Sequence, residues 1–325
     1  MVNKKRPVIG VLLNLIVALG ILTSAGPGDG AEKFPSKEII IVVPYSAGSS
    51  TDLPARLLAE YLKKDLGVPV IVENRTEGQS VKGVTDVYRA KPDGYTLLLN
   101  LFPRNAQMEV SFKTPFKILE MTYLPAFVKT YQVITVRNDS PFNSVKELVE
   151  ASKKKPLSCS VSGAGSNAHL LAEMLKRRIG LNNNPVPFKG TVPAMAALLG
   201  GNVDMTTVDD LQVVIHREKV RPLAIHATER HKKNFPALPT IRELGYDVPA
   251  VETLAGLAGP PGMPAEALRI LSDAVTKAIK NPEFIIGMEK TGTNPTIVSG
   301  SEFRATAESY YKLAIEYKDI LTETK

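Results

Sequence analysis

Apolar positions along this chain recur in two alternating rhythms. Residues 38–43 are a short run rich in Ile and Val, the pattern of a strand buried on both faces. Residues 53–66 then place Leu57, Leu58, Tyr61, Leu62 and Leu66 at helical spacing. The pattern continues with a strand over 69–73, a helix over 81–90 and a strand over 95–99. A β-α-β-α-β order predicts a largely parallel sheet covered by helices on both faces. Residues 100–122 break the rhythm, and Pro103, Pro115 and scattered polar residues predict irregular chain there.

A second series of elements begins at residue 131. Strands are predicted over 131–136, 157–161, 185–188, 203–208 and 220–226. Helices fall between them over 144–152, over 168–179, and from Lys189 or Thr191 to Gly200-Gly201. Ser144 caps the first of these, with Glu147 completing a capping box, and Gly180 ends the second. The segment 235–239 reads as a Pro-rich connector, and a strand over 254–258 enters Gly259-Pro260-Pro261-Gly262. The tail predicts helices over 264–279, 282–288 and 301–321, helical chain with no sheet of its own. Such a tail packs back on the first lobe, which makes that lobe discontinuous and the connection between lobes double.

Two loops of small residues each follow a strand and open a helix. The first amide N–H groups of a helix lack carbonyl partners and carry partial positive charge. Small residues let an anion approach that backbone. The first loop, residues 44–52, offers the N–H groups of Ala47, Gly48 and Ser49 and the hydroxyls of Ser49, Ser50 and Thr51. It lacks the lysine and spacing of a phosphate loop, and it is not Gly-x-Gly-x-x-Gly, which disfavours nucleotides. The competing reading is an ordinary turn in which Asp52 caps the helix. The second loop is Ser162-Gly163-Ala164-Gly165-Ser166-Asn167-Ala168-His169, with the N–H groups of Ala164, Gly165 and Ser166 as donors. Facing each other, the two loops would hold a small carboxylate between two lobes.

His169 falls in the first turn of the following helix, as a ligand contact or as a structural hydrogen-bonder. Ser166 with His169 would suggest a serine hydrolase, but the segment is not Gly-x-Ser-x-Gly and no third member stands out. Asp209 and Asp210 close a predicted strand. They either receive a ligand hydroxyl or amino group or cap the next helix.

Composition and charge narrow the class. The net charge of +7 is compatible with small anionic ligands. No Lys/Arg run is interleaved with aromatics, so nucleic acid is not an expected partner. His169, His216, His226 and His231 lack metal-site spacing, and no metal or cofactor is expected. Cys159 is the single cysteine, which excludes an internal disulfide. Lys4, Lys5 and Arg6, an apolar run over 8–22 and small residues over 23–31 have the layout of a secretory signal peptide. That run is short for a span of ~20 residues. No other apolar run is long enough to span, so a soluble periplasmic protein is expected.

Several segments, in this order, resemble one family. They are Val42-Val43-Pro44-Tyr45 with Gly48 and Thr51-Asp52; Val72-Glu73-Asn74-Arg75; Lys91-Pro92-Asp93-Gly94-Tyr95-Thr96-Leu97; and Ser162-Gly163-Ala164-Gly165-Ser166 with His169-Leu170. Pro187-Phe188-Lys189-Gly190, Leu198-Leu199-Gly200-Gly201-Asn202-Val203-Asp204, Pro236-Ala237-Leu238-Pro239-Thr240 and Pro260-Pro261-Gly262-Met263-Pro264 follow. From about Phe34 onward the chain resembles the extracytoplasmic solute-binding receptors of tripartite tricarboxylate transporters, the Bug or TctC-like family.

The resemblance implies an α/β, two-lobed periplasmic binding protein of type II-like organisation. Each lobe is expected to be a mainly parallel sheet flanked by helices, with the ligand in the cleft. The expected division is 1–31 signal peptide, 32–124 plus 246–325 first lobe, and 125–245 second lobe. A small carboxylate (a di- or tricarboxylate, an aromatic acid or an amino acid) is the implied ligand. The implied partners are the membrane subunits of a tripartite transporter, with the receptor a monomer and no reaction catalysed. A sensory role acting on a histidine kinase is the alternative.

The ligand residues carry over to Tyr45, Ser46, Ala47, Gly48, Ser49, Ser50, Thr51 and Asp52, and to Ser162, Gly163, Ala164, Gly165, Ser166 and His169. The chain departs from the family where Ser46-Ala47 and Gly48-Ser49 replace two prolines and two glycines, and where the segment after Leu99 is shortened.

Overall fold

The computed structural model describes Met1 and residues 33–49, 51–78, 80–290 and 293–322. Residues 2–31 of the expected signal peptide, and Ser50, lie outside the described residues. Both sheets lie in one compact unit, Lys37–Lys325.

Strand β1 (Ile39–Val43) leads through α1 (Asp52–Leu66), β2 (Val70–Asn74), α2 (Val81–Tyr88) and β3 (Thr96–Phe102) to α3 (Arg104–Ser111). Strand β4 (Thr122–Thr130) runs into β5 (Gln132–Arg137), α4 (Val145–Ser152), β6 (Leu157–Val161) and α5 (Asn167–Ile179). Then come β7 (Asn183–Pro187), α6 (Thr191–Leu199), β8 (Met205–Thr206), α7 (Asp210–Ile215) and β9 (Val220–His226). The chain closes with β10 (Thr253–Gly259), α8 (Ala265–Lys280), α9 (Pro282–Lys290), β11 (Asn294–Val298), α10 (Gly300–Glu316) and α11 (Lys318–Thr322).

The first sheet has the order β11-β4-β10-β3-β1-β2, and the second β7-β6-β8-β5-β9. Strand β1 is buried nearly throughout, as its Ile/Val run predicts. Helix α1 turns Ala55, Leu58, Ala59 and Leu62 onto the core. Burying each such leucine stabilises by about 1.5–3 kcal/mol. Gly67 ends this helix in the left-handed region, at φ +71°, with its N–H on the Lys63 carbonyl. Helices α1, α8 and α9 pack together, and α3 packs against α10 and α11.

The two-lobed α/β class holds, but both sheets are mixed rather than mainly parallel. Strand β1 pairs parallel with β2 and β3, while β10 is antiparallel to β3 and β4, and β11 is antiparallel to β4. In the second sheet β6 is parallel to β7 and β8, and β5 is antiparallel to β8 and β9. The physical reason is the double crossing. Chain entering a lobe from the cleft, as β10 and β5 do, runs opposite to the strands that end there.

The crossings also fix where the site lies. Only Tyr131 separates β4 in the first sheet from β5 in the second, and residues 227–252 carry the chain back from β9 to β10. The pairs Leu254↔Phe102 and Thr253↔Thr130 put the start of β10 beside the ends of β3 and β4. The pair Gln132↔His226 puts the start of β5 beside the end of β9. The carboxyl ends of β1, β2 and β3 therefore share an edge with the crossings, as do those of β6, β7 and β8.

Four local expectations are corrected. The span 100–122 holds helix α3, and β4 begins at Thr122. Helix α3 is cryptic because Asn105, Ala106, Gln107, Met108 and Glu109 are all buried, so its apolar positions carry no period. The tail adds edge strand β11 to the first sheet, and its last helix breaks at Tyr317. The strand expected over 203–208 is only Met205–Thr206. Ser144 accepts the Glu147 N–H, but the Glu147 carboxylate reaches the Asn143 N–H, so the box is not closed there. A full capping box stands at Ser299 and Glu302 instead.

Candidate functional site

The first loop leaves β1 at the cleft edge and is braced from within. Gly48, at φ +76°, donates its N–H to Asp52 Oδ2 at 2.8 Å. Asp52 is fully buried and also accepts from Arg56 Nε at 2.9 Å and from Asn74 Nδ2 at 2.7 Å. Burial alone would raise the Asp52 pKa. The bonds from Arg56, Asn74 and Gly48 outweigh it and hold the carboxyl below its ordinary value. Asn74 donates as well to the Tyr45 carbonyl at 2.9 Å, and the Tyr45 hydroxyl donates to Asn105 Oδ1 of α3 at 3.3 Å. The helix start is served by Ser49, whose Oγ accepts the Asp52 N–H at 3.2 Å and lies 3.1 Å from Thr51 Oγ1. Asp52 thus braces the loop behind it rather than capping the helix ahead.

The second loop repeats the scheme with different chemistry. Gly165, at φ +67°, donates its N–H to His169 Nδ1 at 3.0 Å. His169 is half-buried. Burial lowers its pKa, against the pull of the Glu173 charge, so the ring is neutral at pH 7 and Nδ1 is free to accept. Ser166 caps α5 by accepting the His169 N–H at 3.2 Å. The Ser162 carbonyl accepts the N–H of Gly190, which ties the loop to the start of α6.

These bonds correct part of the donor assignment. The N–H groups of Gly48 and Gly165 are engaged with side chains, and those of Ser49 and Ser166 with the carbonyls of Ser46 and Gly163. The tight turns that bring small residues to the edge also consume their donors. Among the described residues the N–H groups of Ala47 and Ala164 keep no protein partner, and both residues are exposed. Ser46 is exposed beside the first, and Gly163 is half-buried beside the second.

Asp209 and Asp210 lie where the crossings meet. Asp209 caps α7 by accepting the Gln212 N–H at 3.3 Å, and bonds Thr191 at the start of α6. Burial, and then the charge of Asp210, push its pKa up to about 6. Asp210 Oδ1 accepts the Tyr131 N–H at 3.2 Å, while Oδ2 accepts Asn294 Nδ2 at 2.7 Å and faces His231 Nε2 at 3.3 Å. Asp210 thus ties the crossing at Tyr131 to β11 and to His231, with both oxygens engaged by the protein. Glu252 does similar work on the return crossing, through Lys129 at 2.8 Å and the N–H and hydroxyl of Thr228.

Sequence reasoning gave no role to Arg56, Asn74, Arg104 or Gln107, and placed Asn167 only as a member of the second loop. Asn74 carries a signal, since it sits in the Glu73-Asn74-Arg75 segment. Arg56 stands one helical turn from Asp52, a spacing that marks the pair, whereas the place of Gln107 depends on a contact far along the chain. Among the described residues no group of three or more His, Cys, Asp or Glu is placed to hold a metal.

Two α/β lobes, a double crossing and a loop from each lobe at the shared edge define the class of two-lobed periplasmic binding proteins. The chain belongs to the TctC family, described as the tripartite tricarboxylate transporter family receptor, whose profile matches residues 54–312. It is 30% identical over 303 residues to protein BugT of Bordetella pertussis, covering 90% of this chain and 93% of that one. A ligand-free TctC solute-binding protein from Polaromonas superposes with a TM-score of 0.80 at 28% identity, over 89% of this chain and 99% of the other. MatC from Rhodopseudomonas palustris, with bound malate, gives a TM-score of 0.69 at 26% identity, over 89% and 100%. The family is one of periplasmic receptors, not of enzymes. Among the described residues no helix is long and apolar enough to cross a membrane.

Proposed function

We propose that this chain is exported to the periplasm, captures a small organic carboxylate between its lobes and delivers it to the membrane subunits of a tripartite tricarboxylate transporter. The moving parts are the lobes built on the two sheets, near the expected division of 32–124 with 246–325 against 125–245. They turn about Tyr131 and the return crossing. A ligand touching both loops favours the closed state by its extra contacts there. The ligand contacts come from the two loops, residues 45–51 and 162–166, with the exposed Ala47 and Ala164 as the backbone donors. His169 and Asp52 hold these loops in shape from behind.

The observation that carries this reading is the pairing of the loops. Each ends a cleft-edge strand, opens a helix, and is set by a left-handed glycine whose N–H is tied four residues ahead. The malate bound to MatC supports a carboxylate as the ligand class. The engaged state of Ser166 and His169, one as a helix cap and one as a loop brace, gives no support to a hydrolase.

A thermal-shift screen against mono-, di- and tricarboxylates and aromatic acids tests the proposal. A ligand at ~100 times its dissociation constant stabilises the fold by about 2.7 kcal/mol. The absence of a shift with every carboxylate would overturn it.

A further inference from the structure

Helix α3 starts at the cleft edge, where β3 ends beside the start of β10. It begins one residue after β3, at Arg104. Arg104 and Gln107 stand one turn apart and so share a face of the helix. Gln107 is 1% exposed, and its Nε2 lies 3.4 Å from Oδ1 of Asn167, the first residue of α5 in the other lobe. That face therefore looks across at the second loop. Asn167 is held in turn by a 2.6 Å bond to Thr253 Oγ1 at the start of β10.

Two groups on this face want a partner. The carboxamide oxygen of Gln107 is buried and accepts nothing from the described residues. A buried acceptor left unpaired is costly, and a donor arriving with a ligand removes that cost. Arg104 is half-buried, and among the described residues no carboxylate pairs with it. The next residue, Asn105, accepts the Tyr45 hydroxyl at 3.3 Å, so the start of α3 that carries Arg104 lies beside the first loop. A guanidinium held in a cleft without an acid is suited to bind a carboxylate.

We propose that Arg104 and Gln107 form a distal subsite for a dicarboxylate bearing a hydroxyl or amino group. The loops hold one carboxylate, Arg104 takes the second, and Gln107 Oε1 accepts from the donor on the carbon chain. This rests on the carboxylate-receptor reading and specifies the substrate class of that site.

Calorimetric titration of the full chain with butyrate, succinate, malate and aspartate tests it. Succinate binds about 10- to 100-fold tighter than butyrate, as expected for charge-assisted bonds. Malate or aspartate gains about another 10-fold over succinate. Arg104→Met brings succinate down to the butyrate level and leaves butyrate unchanged, and Arg104→Lys restores part of the preference. Gln107→Met removes the advantage of malate and aspartate over succinate, while retained butyrate binding reports an intact fold. Unchanged preferences in Arg104→Met, or butyrate binding as tight as succinate in the wild type, would overturn the subsite and leave the receptor reading standing. If no carboxylate binds at all, both are overturned.

Discussion

The two cleft loops share a backbone device and differ in the group that completes it. In the first, the left-handed Gly48 is tied to Asp52, a fully buried carboxylate that also binds Arg56 and Asn74. In the second, the left-handed Gly165 is tied to His169, a half-buried neutral imidazole with one loop bond. One loop is locked by a charge network reaching β2. The other is latched by a group whose ordinary pKa, about 6.5, lies near physiological pH. The lesson is that a small-residue loop opening a helix is not automatically an open set of anion donors. The glycine N–H groups hold the loops in shape, which under the proposed function leaves ligand contact to their exposed neighbours.

The comparison breaks most visibly at Asp52. Replacing Asp52 with Ala strands the Gly48 N–H and one Asn74 Nδ2 hydrogen and leaves the Arg56 charge without its carboxylate. We expect a loss of about 3 kcal/mol in urea unfolding. A loss within ~0.5 kcal/mol would show that the first loop does not depend on its carboxylate. The second loop is less demanding. Ser166→Ala removes the cap of α5 and is expected to cost about 1 kcal/mol.

Acid separates the loops further. The His169 pKa in the folded chain lies below its unfolded value, so unfolding takes up protons. The stability contributed by the neutral ring is full above about pH 6.5 and is lost as pH falls below it, through the lower pKa of the folded chain. Asp52 follows the same sign, but only below about pH 3.9. Acidification to pH 5 should therefore loosen the second loop and spare the first. His169→Asn keeps a side-chain acceptor without titrating there, so its stability should vary less over pH 5–7 than the wild type's. An unchanged profile would remove His169 as the pH-sensitive latch.

The smallest expected effect lies behind the second loop, at the far end of α5. Arg177 pairs there with Asp319 of α11, and both side chains are substantially exposed. Such pairs are worth about 0–1 kcal/mol, so Arg177→Ala should barely move the unfolding midpoint.

The chain made the sheet-forming series and both loops legible, because Ile/Val runs and helical stripes encode buried faces directly. The strand over Ile39–Val43 and the helix Asn167–Ile179 with its Gly180 stop fall almost where the pattern places them. Helix α3 was hidden because it buries Asn105, Gln107 and Glu109 alongside Ala106 and Met108, so burial and hydrophobicity part company. Strand β11 was hidden because an edge strand with one protected face needs little apolar pattern. At the site, the loop positions could be read, but the partners of their N–H groups could not. Asp52 and His169 are near in sequence, yet which of capping, bracing or ligand contact they perform depends on Asn74, Arg56 and the turn geometry. Asp210 looked available because Asn294, which takes its second oxygen, lies far away in the tail.

In the proposed function the two loops act together on one carboxylate. Calorimetric titration of Gly165→Asp with a carboxylate that stabilises the wild type tests this most directly. Aspartate is among the few side chains tolerated at a left-handed position, so the fold should persist. The added charge should abolish binding in the second loop's half of the grip. Binding lost with the fold intact is the predicted result, and wild-type affinity in that variant would contradict the account.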